Sequence, residues 1–148
     1  MRKLFLALFL STSLFSASLY TLDNIHLLNL YFSNQTTFLN HDQEGILKNI
    51  VTERLKKAGF VLGETDASIF VVKINSLKIE GTQAIHLEVG LGEEVTTKRK
   101  DKIGTFAYTY LESKFIKGSS DPYKNTLEAL RVLVDAFISA HKEDNEAF

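Results

Sequence analysis

The 148-residue chain has no cysteine, no tryptophan and a single proline, Pro122. Without cysteine there is no disulfide, no thiolate metal ligand, no thiol nucleophile and no lipid attached through an N-terminal cysteine. A strong charge of either sign is also missing, since 17 basic residues stand against 18 acidic ones. The global basic excess of a nucleic-acid binder is therefore absent, and no nucleic-acid partner is expected. There is no internal repeat and no low-complexity segment. What remains is an ordinary globular composition, 45% hydrophobic and 24% charged. That is enough apolar material for a core that needs no covalent staple.

The one concentrated apolar stretch lies at the start. Met1-Arg2-Lys3 is positive, residues 4–10 are an unbroken apolar run, and Ser16-Ala17-Ser18 follows a weaker continuation. Small residues at Ser16 and Ser18 suit a signal peptidase cutting before Leu19. The pattern predicts a cleavable signal peptide over residues 1–18 and a single periplasmic α/β domain over residues 19–148. The competing reading is an uncleaved anchor, but a span needs about 20 mostly apolar residues, and this run is shorter and broken by hydroxyls. No later segment is long or apolar enough, so no transmembrane span is expected in the mature chain. Loss of Arg2 and Lys3 leaves 15 basic against 18 acidic residues.

Residues 24–32 alternate as a strand, with Leu28, Leu30 and Phe32 on one face and Ile25, Leu27 and Tyr31 on the other. Residues 33–39 read as a loop. Asn40 then opens a helix, with Gln43 completing a capping box. Ile46, Leu47, Ile50, Val51, Leu55 and Ala58 form its apolar stripe, and Gly59 stops it. Residues 67–74 are a second strand, extended by Leu77 and Ile79 to a turn at residues 80–82. A third strand over 85–91 alternates cleanly, and Gly90 and Gly92 signal a bulge or a close backbone approach. It continues towards a charged tip, from which residues 103–115 return as a fourth strand, so the pair is expected to protrude as a hairpin. Asp121 caps and Pro122 begins a last helix reaching Lys142. Its apolar face is Tyr123, Leu127, Leu130, Val134, Phe137, Ile138 and His141, and residues 143–148 are expected to fray. The order β-α-β-β-β-α predicts an α+β two-layer sandwich, a mainly antiparallel four-stranded sheet with two helices on one face.

Three stretches carry a resemblance. A helix ends in Lys-Lys-Ala-Gly-Phe at residues 56–60. Thr-Asp-Ala-Ser-Ile-Phe-Val-Val follows at residues 65–72, and an alternating strand comes at residues 85–91. In this order the chain resembles small envelope domains of Gram-negative bacteria: the lipopolysaccharide-assembly lipoprotein type, the auxiliary components of lipid-transport ABC systems, and the N-terminal domain of TolB. It departs from the lipoprotein members in having no cysteine to lipidate. The resemblance implies a non-enzymatic role in building, transporting across or scaffolding the envelope, and it transfers no functional residue.

The residues themselves offer little chemistry. His26, His41, His86 and His141 have no short ligand spacing. His26 and His86 could meet Glu88 at a metal only if their strands pair. Gly90-Leu91-Gly92 has no following Lys-Ser/Thr and is no phosphate loop. Glu93 and Glu94 are adjacent on a strand and so face opposite ways. Ser119 and Ser120 stand in a capping context. No catalytic residue, metal or cofactor is expected, and the chain is read as not an enzyme. The charge feature is Lys98, Arg99, Lys100 and Lys102, a patch for an acidic partner or for anionic lipid, or a solvated tip that discourages sheet association. Phe106, Tyr108 and Tyr110 are expected to share one face of the fourth strand, as an exposed stripe for a partner or as rings packed under a helix. The expected function is a periplasmic accessory or binding protein whose partner is another envelope protein. The alternative is a carrier of a small apolar ligand or lipid.

Overall fold

The computed structural model describes residues 22–65, 67–80, 82–118 and 120–146. The signal peptide expected at residues 1–18 lies outside them. The elements are β1 (Leu27–Gln35), α1 (His41–Lys57), β2 (Val61–Leu62), β3 (Ser68–Ile79), β4 (Thr82–Thr96), β5 (Gly104–Lys117) and α2 (Pro122–Glu146).

The helices begin where local chemistry places them. Asn40 accepts the Gln43 N–H at 2.8 Å while the Gln43 side chain accepts the Asn40 N–H at 3.1 Å, so two otherwise unpaired donors of α1 are satisfied. Asp121 accepts the Lys124 N–H at 2.9 Å ahead of Pro122. The buried stripe of α1 is narrower than the apolar spacing suggests. Leu47, Val51 and Leu55 are buried, whereas Ile46 faces outward.

The sheet order is β2-β1-β3-β4-β5. β1 runs parallel to both β2 and β3, with α1 as the crossover, and β3, β4 and β5 form an antiparallel meander. The fold is α+β, with a mixed and mostly antiparallel sheet. The four-stranded expectation is corrected to five. β2 is only two residues long, too short for an alternation pattern to register, and it is held by Val61 N–H to the His26 carbonyl (2.9 Å) and Gly63 N–H to the Leu28 carbonyl (3.1 Å). β1 also starts later than expected and takes Ser33 to Gln35 from the predicted loop.

Both helices cover the same face of the sheet. Leu28, Phe70, Val72, Leu87 and Leu91 from the strands meet Leu47, Val51 and Leu55 of α1 and Leu130, Val134 and Phe137 of α2 in one core. Phe137 sits at the centre of a ring cluster. Its ring lies 4.9 Å from that of Phe70, 5.3 Å from Tyr110 and 5.6 Å from Phe60.

The fraying expected at residues 143–148 is corrected for residues 143–146, and residues 147–148 lie outside the described residues. α2 continues to Glu146 because its last turn ties down the segment entering β1. Asp144 accepts the Leu22 N–H (2.8 Å), and Asn145 accepts the Asn24 N–H (3.1 Å) while donating to the Leu22 carbonyl (3.1 Å). His141 Nε2 lies 2.8 Å from the Ile25 carbonyl. These bonds hold Leu22 fully buried. Asn145→Ala leaves a donor and an acceptor of that segment without their partner, and is expected to cost about 1–2 kcal/mol by urea denaturation. Asn145→Asp keeps the acceptor and is expected to lose less.

Candidate interaction surface

The opposite face of the sheet is covered by no element among the described residues. Register sets its side chains in rows. Tyr31, Val71, Gly90 and Leu111 form one, Ser33, Lys73, Glu88 and Ser113 the next, and Gln35, Asn75, His86 and Phe115 a third. Tyr31 is 53% exposed and Phe115 67%, values unusual for large rings on one surface.

Two positions in this face have no side chain, and rings from β5 lie over them. A Cβ on Gly92 would stand 2.2 Å from Phe106 Cζ, and one on Gly90 would stand 3.0 Å from Tyr108 Cδ1. Gly90 and Gly92 thus do both things their spacing suggested. They admit a close approach, and they flank a bulge between Leu91 and Gly92. Leu91 pairs with Tyr110 and Gly92 with Tyr108, leaving Thr109 as the extra residue. The Thr109 hydroxyl donates to the Glu93 carboxylate, which also accepts from the Ser68 hydroxyl at 3.0 Å.

The bulge overturns one expectation. An inserted residue reverses the alternation of side chains, so Phe106, Tyr108 and Tyr110 do not share a face. Phe106 and Tyr108 lie on the uncovered face, whereas Tyr110 is 3% exposed, beneath α2 and against Phe137. Tyr110 belongs to the core and is not available at the surface. The residues overlooked in the sequence are Tyr31, exposed on β1, and Lys73, which lies between the rings.

The Lys73 ammonium is 5.2 Å from the Tyr108 ring centroid. A hydrogen bond with Tyr108 holds its pKa above the usual lysine value, against an opposing effect of burial, with Glu88 and Tyr31 adding to the rise. A raised lysine pKa contributes stability that is complete below the unfolded value and lost only as pH climbs through the folded one. The charge is therefore constant around neutrality. Next to it, His86 stacks on Phe115 with centroids 4.3 Å apart and has Nδ1 3.9 Å from the Glu88 carboxylate.

The hairpin protrudes as expected. β3 last pairs with β4 at Ile69–Gly92, while β4 and β5 go on pairing from Glu93–Ala107 to Thr96–Gly104. Lys98, Arg99, Lys100 and Lys102 cluster at the exposed end of this two-stranded ribbon. The turn there is closed by Thr97 N–H to the Ile103 carbonyl and Lys102 N–H to the Arg99 carbonyl, both 2.9 Å. Lys102 takes a positive φ of 45°. Phe106 stands on the ribbon and Tyr108 at its base, so the basic tip and the two rings form one continuous strip.

The remaining candidates do not converge. His26 precedes β1 and His86 lies in β4, with β3 between them, so strand pairing does not bring them together. The ring near His26 is that of His141, at 6.1 Å. Among the described residues no three metal-ligating side chains form a group, and no helix is long and apolar enough to cross a membrane. No protein-family model matches the chain, and comparison with curated proteins finds no match either.

Proposed function

We propose that this is a non-enzymatic periplasmic accessory protein of an envelope assembly or transport complex, acting through a protein partner that docks on the uncovered sheet face and its basic ribbon. The observation that carries the reading is the strip of exposed rings, Tyr31, Tyr108 and Phe106, continuous with Lys98, Arg99, Lys100 and Lys102. The tip is mainly basic, with Asp101 inside the run and Glu94 paired with Phe106, and an apolar surface ending in it suits a partner with an apolar patch bordered by carboxylates. Lys73 engages Tyr108 on this face, and His86 stacks on Phe115 beside Glu88. The envelope setting rests on the signal-peptide pattern and on the resemblance in element order.

The carrier alternative has less support, because the space between sheet and helices is occupied by Phe70, Phe137 and Tyr110. Contact of the basic tip with lipid headgroups would be an addition to the protein surface. Native mass spectrometry of the protein, purified gently from its own cells, separates these readings. A complex with one defined envelope protein is the expected result. A stoichiometric extra mass of lipid size would overturn the reading in favour of the carrier.

A further inference from the structure

β5 is the outer strand of the sheet, and residues Leu111 to Phe115 are exposed along it. The direction of its free backbone groups follows from the ladder. Gly118 N–H bonds the Gln83 carbonyl one step beyond the Lys117–Ala84 pair, so that pair is a non-hydrogen-bonded one. Counting back by twos, Phe115, Ser113 and Leu111 likewise turn N–H and C=O away from β4. A long edge with open backbone groups is a template for another strand. Here the side chains specify which strand.

Leu111-Glu112-Ser113-Lys114-Phe115 reads apolar, acidic, neutral, basic, apolar. The segment is self-complementary when laid antiparallel on itself about Ser113. We propose that the protein forms a two-fold symmetric dimer by antiparallel pairing of β5 with β5 of a second copy, centred on Ser113. In that register Ser113 exchanges its backbone bonds with its own counterpart, and Leu111 with Phe115 of the other copy, using the groups that point outward. Glu112 falls opposite Lys114 in the closer, non-hydrogen-bonded pairs, and the symmetry makes two such pairs. The apolar Leu111 and Phe115 meet on the uncovered face. On the helix side, Val132 of α2 is exposed beside Ile116 and Lys114 and flanks the axis. An isologous contact closes on itself and leaves no free β5 edge to propagate. It also joins the two uncovered faces into one surface across a ten-stranded sheet. An interface built on one strand pair is small, so a dimer of micromolar order is expected.

Sedimentation of the full chain, expressed from its complete coding sequence, tests this. Lys114→Glu sets two carboxylates against each other in both pairs and is expected to weaken dimerisation by about tenfold or more. Glu112→Lys does the same with the opposite sign. The double swap Glu112→Lys with Lys114→Glu restores the dimer, and a mixture of the two single variants forms heterodimers. Ser113→Pro removes a donor that β4 does not use and is expected to give a folded monomer. A wild-type monomer at high micromolar concentration would overturn the proposal, as would a dimer indifferent to both single charge reversals. Glu112 and Lys114 lie on the opposite side of the sheet from Phe106 and Tyr108, so loss of the dimer and loss of partner docking are separable results.

Discussion

Phe137→Ala is expected to remove about 3–5 kcal/mol of folding stability, among the largest losses open to a single substitution here. The ring is fully buried and touches aromatic partners from three separate parts of the chain: Phe60 ahead of β2, Phe70 in β3 and Tyr110 in β5. Truncation removes the transfer free energy of the ring and leaves a void that three rigid rings fill poorly. With an unfolding entropy of about 2 cal/mol/K per residue over roughly 125 residues, the melting temperature should fall by about 10–20 °C. Phe137→Leu retains most of the volume and should cost about 1–2 kcal/mol. Thermal denaturation followed by circular dichroism reads both. A loss below about 1 kcal/mol for the alanine variant would mean that α2 does not seat on this ring cluster.

Replacing Lys98, Arg99, Lys100 and Lys102 together by Glu should leave the melting temperature within a few degrees of wild type, because all four are exposed on a ribbon outside the core. The same change should weaken binding of the proposed partner by about tenfold to a hundredfold at low salt, chiefly through slower association. The matching Gln variant should lose less affinity and most of the salt dependence expected of wild type. Binding unchanged by the Glu variant would leave the tip as a solvated turn and confine the interaction to the sheet.

Much of the fold is legible in the sequence because its signals are local. Asn40 with Gln43, Asp121 with Pro122, and the alternation of Ile85, Leu87, Val89 and Leu91 each follow from a few neighbouring residues. What escapes is what depends on pairing. β2 exists because residues 61–62 return beside His26 and Leu28, and two residues carry no period. The last turn of α2 is polar and reads as frayed, yet Asp144 and Asn145 bond the backbone of Leu22 and Asn24, more than a hundred residues away.

The candidate surface is legible by halves. The charged run is visible as soon as the hairpin is recognised. The aromatic row is not, because the glycine pair that marks the bulge lies on β4 while its effect falls on β5. Placing Thr109 as the inserted residue sends Tyr110 inward and leaves Phe106 and Tyr108 outside. Alternation within β5 alone cannot supply that fact. Tyr31 is a similar case, since β1 carries apolar residues on both faces and alternation alone does not say which face the helices cover.

Docking of the proposed partner on the uncovered sheet face is tested most directly by a photo-crosslinking residue placed on each layer in living cells. Positions Tyr31 and Phe106 probe the open face, and Glu53 on α1, also exposed, probes the helix layer. A discrete adduct with the same envelope protein is expected from both Tyr31 and Phe106, and none from Glu53. An adduct from Glu53 with none from the sheet positions would contradict it and move the working surface to the helices.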